Sequence, residues 1–171
     1  MGGSSSHNGM VHVRGNAKDF DNWGQLGLTD WTYDKVLPYF KKSESVDGLD
    51  SYFRWESGPL KLSRSPNGNI LSQVYLNAAQ QAGYQINNDM NGERQEGFGL
   101  MDTTIFNGKR QSTSVTYLHP IKHRSNLEIL TNVTVNKILF ENKKLLGLNV
   151  KRMVKIKSIF QAKRFFFLLE L

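Results

Sequence analysis

The chain contains no cysteine, which removes disulfides, thiolate nucleophiles and cysteine-based zinc sites from consideration. Any redox chemistry must come from a bound cofactor. Long apolar runs are also missing: the densest, Phe165-Phe166-Phe167-Leu168-Leu169, is far shorter than the ~20 residues that cross a bilayer. No secretory signal pattern and no internal repeat are visible. Acidic residues are scarce in one region only, since from Lys143 onward Glu170 is the single acid.

Across 171 residues the net charge is +7, from 22 Lys and Arg against 15 Asp and Glu. A polyanion partner is compatible with that excess. The acids are interleaved through the first two thirds, however, so a solvated lysine-rich surface is the better reading than a nucleic-acid stripe. His119 and His123 have the spacing of two ligands on one helical face, but Pro120 interrupts any helix and no acidic third ligand follows, so no metal site is expected. The sequon Asn132-Val133-Thr134 is taken as chance.

The opening stretch, Gly2-Gly3-Ser4-Ser5-Ser6-His7-Asn8-Gly9-Met10-Val11, combines glycines, hydroxyls and an amide. Adjacent glycines let successive N–H groups converge on a phosphate, and small serines permit close approach. A flexible leader has a similar composition. Further along, Thr32 is a candidate N-cap for a helix over about 33–42 that contains Pro38. Residues 46–59 suggest a surface excursion, 60–63 a short strand, and Pro66-Asn67-Gly68-Asn69 a turn. The apolar positions 70, 71, 74, 75 and 78 predict a helix over 70–82 capped by Gly83. A strand over 100–106, a tight turn at Asn107-Gly108, and a short helix over 112–118 stopped by Pro120 come next. Residues 127–130, 133–140 and 145–153 read as strands, the last pair joined by a hairpin at 141–144. This order predicts an α+β fold or a piece of a mixed α/β fold, with its strands concentrated in the C-terminal third.

Five ordered blocks carry more than spacing. They are Gly2 to Ser6 with Asn8 to Val11 and Val13 to Asn16; Asp19-Phe20-Asp21 with Trp23; Trp31, Tyr33-Asp34 and Val36 to Phe40; Asp89 to Gly92 with Gln95 to Gly99; and Gly108-Lys109-Arg110 with Ser112-Thr113. Together they closely resemble the glucose-methanol-choline (GMC) oxidoreductases, and within them the choline dehydrogenase branch. The resemblance implies a flavoprotein of the GMC FAD-binding fold, in which FAD takes a hydride from an alcohol carbon, choline being the implied substrate and another primary alcohol the alternative. A basic nucleic-acid-binding module is the distant alternative.

By the same resemblance, Gly3, Ser4, Asn8, Gly9, Met10 and Val11 lie along the pyrophosphate and flavin, and the backbone of Val135 meets the adenine end of FAD. His7 stands where an oxygen-using relative carries its flavin covalently, and a neutral imidazole is a competent nucleophile near pH 7. His12 replaces a family aromatic and is given no chemistry. No catalytic residue is assigned, because the family's C-terminal histidine and its His or Asn partner have no counterpart here. Trp55, Tyr52 and Phe53 are candidates for a trimethylammonium enclosure by composition only.

The family reading covers 1–153 as a partial FAD-binding domain and leaves 154–171 as an atypical tail, with Arg164 to Leu171 in place of the expected strand and small-residue turn. That departure suggests a truncated or frameshifted gene end. The polypeptide alone is expected to be inactive and prone to aggregation through unpaired edges. The resemblance is compatible with either a membrane-associated or a cytoplasmic enzyme.

Overall fold

The computed structural model describes the backbone of residues 1–64, 69–152 and 155–160, and side chains as far as residue 151. The fold is of mixed helix and strand, in two compact units, Met1–His119 and Pro120–Leu171.

In the first unit, α1 (Ala17–Gln25) starts at Asn16, whose side chain accepts from Lys18 N. Its start signal is local, although the apolar spacing assigns no element to this stretch. The following helix, α2 (Tyr33–Ser43), begins at Thr32 as expected and contains Pro38. The hydroxyl of Thr32 does not cap it; Asp21 Oδ1 accepts from Tyr33 N instead, at 2.9 Å. The two helices meet through aromatic edges. Phe20 packs 5.2 Å from Trp23 and 5.6 Å from Phe40, both near perpendicular, the arrangement that aligns ring edges with π faces.

Short strands then cross between segments. β1 (Val11–His12), β4 (Ser63–Arg64) and β5 (Asp102–Thr103) form an antiparallel sheet with β5 in the centre. β2 (Glu44–Ser45) pairs in parallel with β3 (Leu60–Lys61). The strand expected over 100–106 is broken in two, because β5 pairs with β1 and β4 whereas β6 (Ile105–Phe106) turns back onto β7 (Lys109–Arg110). The turn between β6 and β7 is the one the sequence indicates. Asn107 and Gly108 take φ of 49° and 70°, the mirror-image turn that suits strand twist.

The helix α3 (Ile70–Gln81) matches its expected span, with Gly83 at φ 84° just past the end. Its burial does not follow the apolar spacing. Ala79 is buried, whereas Ile70, Leu71, Val74 and Tyr75 are exposed. The short helix expected over 112–118 is a π-helical turn over Ser114–Leu118, and Pro120 lies inside a following 3-10 turn, His119–Ile121, rather than ending the run. Proline is tolerated where a first-turn N–H has no partner to lose.

The second unit is an antiparallel sheet of β8 (Val133–Glu141), β9 (Lys144–Arg152) and β10 (Lys155–Phe160), with β9 central. Asn142 and Lys143 at φ 46° and 64° make the expected hairpin. Leu148 and Val150 are buried in it. Residues 127–130 are not a strand; the pairing with β9 runs out at Val133 opposite Arg152, and Leu127 N instead closes a turn on Arg124 O. Pro66 to Gly68 of the expected turn, and the Phe165 to Leu169 run of the tail, lie outside the described residues.

The interior of the first unit is charged. Among the described residues apolar burial there is limited to Leu37, Val46, Leu62 and Ala79, whereas Arg14, Glu44, Arg54, Asn91 and Asp102 are all buried. Glu44 Oε1 accepts from Arg14 Nη2 and from Arg54 Nε, each at 2.8 Å, and its Oε2 lies 3.2 Å from His12 Nε2. Arg54 continues to Asp89 through Nη1 and to Asp102 Oδ2 through Nη2, the latter at 2.7 Å. Arg64 Nε completes the cluster 3.6 Å from Asp102. Arginines 14, 54 and 64 thus balance Glu44, Asp89 and Asp102.

The expected surface excursion over 46–59 holds for most of its length, but Val46, Arg54 and Gly58 turn inward. Val46 N donates to Trp55 O at 2.9 Å, and the segment folds inward to deliver Arg54, 1 % exposed, to Glu44, 0 % exposed. An arginine reads as a surface residue until its carboxylates are found, since only pairing makes its burial tolerable. Gly58 lets this happen: its N–H donates to Glu44 O at 2.8 Å, and a Cβ there would stand 2.1 Å from that oxygen.

Replacing Arg54 by Met leaves the buried carboxylates without their central cation and is expected to cost about 3–5 kcal/mol in urea unfolding of the chain. Burial pushes the Glu44 carboxyl up, but hydrogen bonds from His12 and Arg54 and the charges of Arg14 and Arg54 outweigh it and hold the group below its ordinary 4.5. Its contribution is complete above about pH 4.5 and is lost as pH falls through the lowered value. Glu44→Gln should accordingly flatten the acid limb of a stability-against-pH curve; an unchanged limb would show that other carboxylates govern it.

Candidate functional site

The glycine-serine segment folds as a 3-10 turn over Gly3–Ser6 followed by a sharp exit into β1. Ser4 O accepts from His7 N at 3.1 Å and from Asn8 N at 2.8 Å, which closes the turn. Gly2 and Gly3 take φ of 124° and 56°. Such angles are accessible at little cost only without a Cβ.

Residues far along the chain hold this loop from behind. Thr113 Oγ1 donates to Gly2 O at 3.1 Å, Thr113 N donates to Ser5 Oγ at 3.0 Å, and Ser5 Oγ itself donates to Gly2 O. Arg110 Nη1 reaches Asn8 O at 2.8 Å, Asn8 Oδ1 at 2.9 Å and Ser5 O at 3.2 Å. Asn8 Oδ1 also accepts from Met10 N at 3.1 Å. That bond accompanies φ of 62° at Met10, a left-handed conformation uncommon for a long side chain. Met10 O then receives Thr104 N at 2.7 Å.

The opposite side of the loop is open. Ser4, His7, Asn8, Gly9 and Val11 are exposed, with Gly3 and Met10 half-buried. Among the described residues no atom lies within 4 Å of where a Cβ would stand at Gly9, so the backbone there permits close approach. Residues 1–15 contain no acid. An open, acid-free, glycine-bearing backbone backed by a guanidinium has the chemistry of an anion cradle.

Of the residues singled out from sequence, Gly3, Ser4, His7, Asn8, Gly9, Met10 and Val11 share this one loop. Val135 belongs to the second unit, half-buried on β8 opposite Val150, where a bulge between Val135 and Lys137 interrupts the ladder. The His7 imidazole is exposed. His12 has a structural role that its sequence position did not suggest, as a partner of Glu44.

Among the described residues no group of three or more His, Cys, Asp or Glu is placed to hold a metal ion. The aromatic trio is not assembled as an enclosure: Tyr52 and Phe53 pack edge to face at 4.8 Å, and the Trp55 ring lies 5.5 Å from Lys41 Nζ. Two open clefts, of about 300 and 410 Å³, are lined by residues 14–18 with 90–96 and by a group around Leu76 and Ile86. The loop lines neither.

Arg110, Thr113 and Thr104 are the residues that sequence reasoning did not single out. Arg110 and Thr113 belong to the fifth block, but their link to the first depends on a chain reversal that no local pattern announces.

A family model described as GMC oxidoreductase matches residues 1–167. The oxygen-dependent choline dehydrogenase of Sinorhizobium fredii is 43% identical over 159 residues, covering 93% of this chain and 29% of that protein. The protein of the same description from Staphylococcus saprophyticus is 45% identical over 155 residues, covering 89% and 28%. The chain thus spans under a third of the length of these relatives. Pyridoxine 4-oxidase from Mesorbium loti superimposes with a TM-score of 0.86 at 24% identity, covering 92% of this chain and 31% of that one. An FAD-dependent oxidoreductase from Chaetomium thermophilum gives 0.82 at 26%, covering 94% and 30%.

Two alanine substitutions test the loop geometry. A Cβ at Gly2 meets Ser6 Oγ at 2.4 Å and must adopt φ of 124°, so Gly2→Ala should cost about 1–3 kcal/mol in chemical unfolding. Gly3→Ala enters open space at φ 56°, and should cost about 1 kcal/mol. The reverse order would contradict this backbone.

Proposed function

Because the chain belongs to the GMC oxidoreductase family, we propose that it forms part of the FAD-binding domain of an oxidoreductase acting on the CH–OH group of an alcohol, with choline converted to betaine aldehyde. The single observation behind this reading is the loop: an open, acid-free backbone with glycines at positive φ and a guanidinium behind it. These features fit the anionic pyrophosphate of a dinucleotide, which needs close backbone approach and converging donors. Bound FAD supplies the hydride acceptor that the side chains of this protein lack.

In this reading the backbone of Gly3, Ser4, Asn8, Gly9, Met10 and Val11 orients the cofactor. Rigid placement matters because hydride transfer requires the reacting atoms to be held at near-contact distance. Val135 meets the adenine end, and the interrupted pairing beside it supports a backbone role there. His7 is proposed as a covalent anchor. Its exposed imidazole would hold the flavin through a C–N bond formed in place of the 8α C–H and imidazole N–H bonds, the two protons and two electrons so released reducing the flavin itself.

Choline is favoured by the relatives at 43% and 45% identity, whose names specify that substrate. A different primary alcohol is the second reading, and one observation keeps it open: Lys41 already places its ammonium over one face of the Trp55 ring, and a second cation there meets like charge. A role in binding nucleic acid has no comparable support.

The test is a chimera in which residues 1–160 replace the corresponding segment of the Sinorhizobium fredii relative. It is expected to purify yellow and to oxidise choline in preference to simple alcohols with an artificial electron acceptor. A colourless chimera would overturn the flavin reading, and preference for another alcohol the choline reading. Acid precipitation should leave the yellow colour in the pellet, and His7→Ala should release it to the supernatant; a colourless parent pellet removes the covalent anchor alone.

A further inference from the structure

The guanidinium of Arg110 stands more than 100 residues along the chain from the loop it holds, and its Nη1 serves Asn8 O, Asn8 Oδ1 and Ser5 O together. Asn8 passes that restraint on, because the same Oδ1 accepts from Met10 N at 3.1 Å and so accompanies the left-handed turn at Met10. Among the described residues no carboxylate pairs with Arg110. This separates it from Arg14, Arg54 and Arg64, whose charges are met by Glu44, Asp89 and Asp102. Among the described residues Arg110 bonds only neutral oxygens, so no carboxylate there meets its positive charge behind an acid-free loop.

We propose that Arg110 is a positioning residue for the cofactor: through Asn8 it sets the Gly3 to Met10 backbone in its receiving conformation, and its unpaired charge draws the anionic part of the ligand to that backbone. The inference rests on the flavin reading and extends it by naming a residue that touches the loop rather than the reacting atoms. The two contributions separate chemically. Lysine keeps the charge, but its compact, strongly hydrated ammonium ends a shorter stem and does not reproduce the bonds that Nη1 makes to the Asn8 and Ser5 oxygens. Glutamine keeps a polar group and loses the charge.

The experiment uses the chimera that carries residues 1–160 in the Sinorhizobium fredii relative and its variants Arg110→Lys, Arg110→Gln and Asn8→Ala, with two readouts. Amide hydrogen exchange without ligand reports the loop; FAD binding, followed by flavin fluorescence at low and high salt, reports the charge. Each variant is expected to speed exchange at Asn8 and Met10 by about 10-fold or more, the loss of a charge-assisted hydrogen bond, while the amides of α2 are unchanged. Arg110→Gln should weaken FAD binding by about 10-fold or more and flatten its salt dependence, whereas Arg110→Lys keeps the salt dependence, because screening acts on charge and not on the placement of the donor. A residue with a merely structural role would leave the salt response alone.

The double variant Arg110→Gln with Asn8→Ala should lose no more loop protection than the worse single, as expected of two groups in one chain of bonds. If an Arg110 variant also loosens α2, Asn8→Ala decides the relay without disturbing the β6–β7 hairpin. Parental uptake of FAD with no change in either readout for Arg110→Lys and Arg110→Gln overturns the proposal and leaves the flavin reading intact. Failure of the parent itself to take up FAD sinks the flavin reading and the charge role with it, and exchange at Asn8 and Met10 then decides whether the restraint on the loop is real.

Discussion

Burying a carboxylate as completely as Glu44 is buried forces the neighbouring chain to bring cations to it. Desolvating one charge costs several kcal/mol, and the cost is met only when partners arrive with good geometry. Arg14 comes from the exit of the glycine-serine loop, Arg54 from the segment after α2, and His12 from β1. Asp89 and Asp102 must then follow Arg54 inward. Short strands of two residues, which could not persist alone, are pinned where these side chains meet. The same constraint explains why this unit has so little apolar interior. Its geometry is specified by paired charges, which tolerate few alternatives, rather than by hydrophobic volume, which tolerates many.

This ionic interior also sets the direction of the loop. Arg14 N donates to Asn91 Oδ1 at 2.7 Å, and Asn91 Nδ2 donates to His12 O at 3.0 Å. β1 is thereby fixed from one side, and Thr103 and Thr104 hold it from the other. With its exit anchored and its back tied to Arg110 and Thr113, the loop presents its backbone outward. The site is thus an edge of a rigid polar framework. Loops positioned by such a framework commonly carry the binding function of a fold.

Apolar surface is distributed in a complementary way. On α3, Ile70, Leu71, Val74 and Tyr75 are exposed. Its periodicity was a correct guide to helix formation and a poor guide to burial. Helical spacing establishes that apolar residues share a face; it does not establish that anything within the same polypeptide segment covers that face. The relatives are more than three times as long as the matched portion.

What could be read from the residues alone was what acts over a few positions. The absence of cysteine, the start of α2 at Thr32, the span of α3, the turns at Asn107-Gly108 and 142–143, and the composition of the glycine-serine loop all follow from local chemistry. So do the five blocks that carry the family likeness, since each is contiguous. Tertiary structure decided the remainder: the burial of Arg54, the division of the 100–106 strand, the lack of a strand over 127–130, and the grip of Arg110 on Asn8. The reason is the separation of the partners. Arg14 and Glu44 lie 30 positions apart, and Arg110 and Asn8 lie 102 apart. No backbone propensity or short motif encodes a bond across such distances; it exists only once the chain has folded and each charge or carbonyl has met the group that satisfies it.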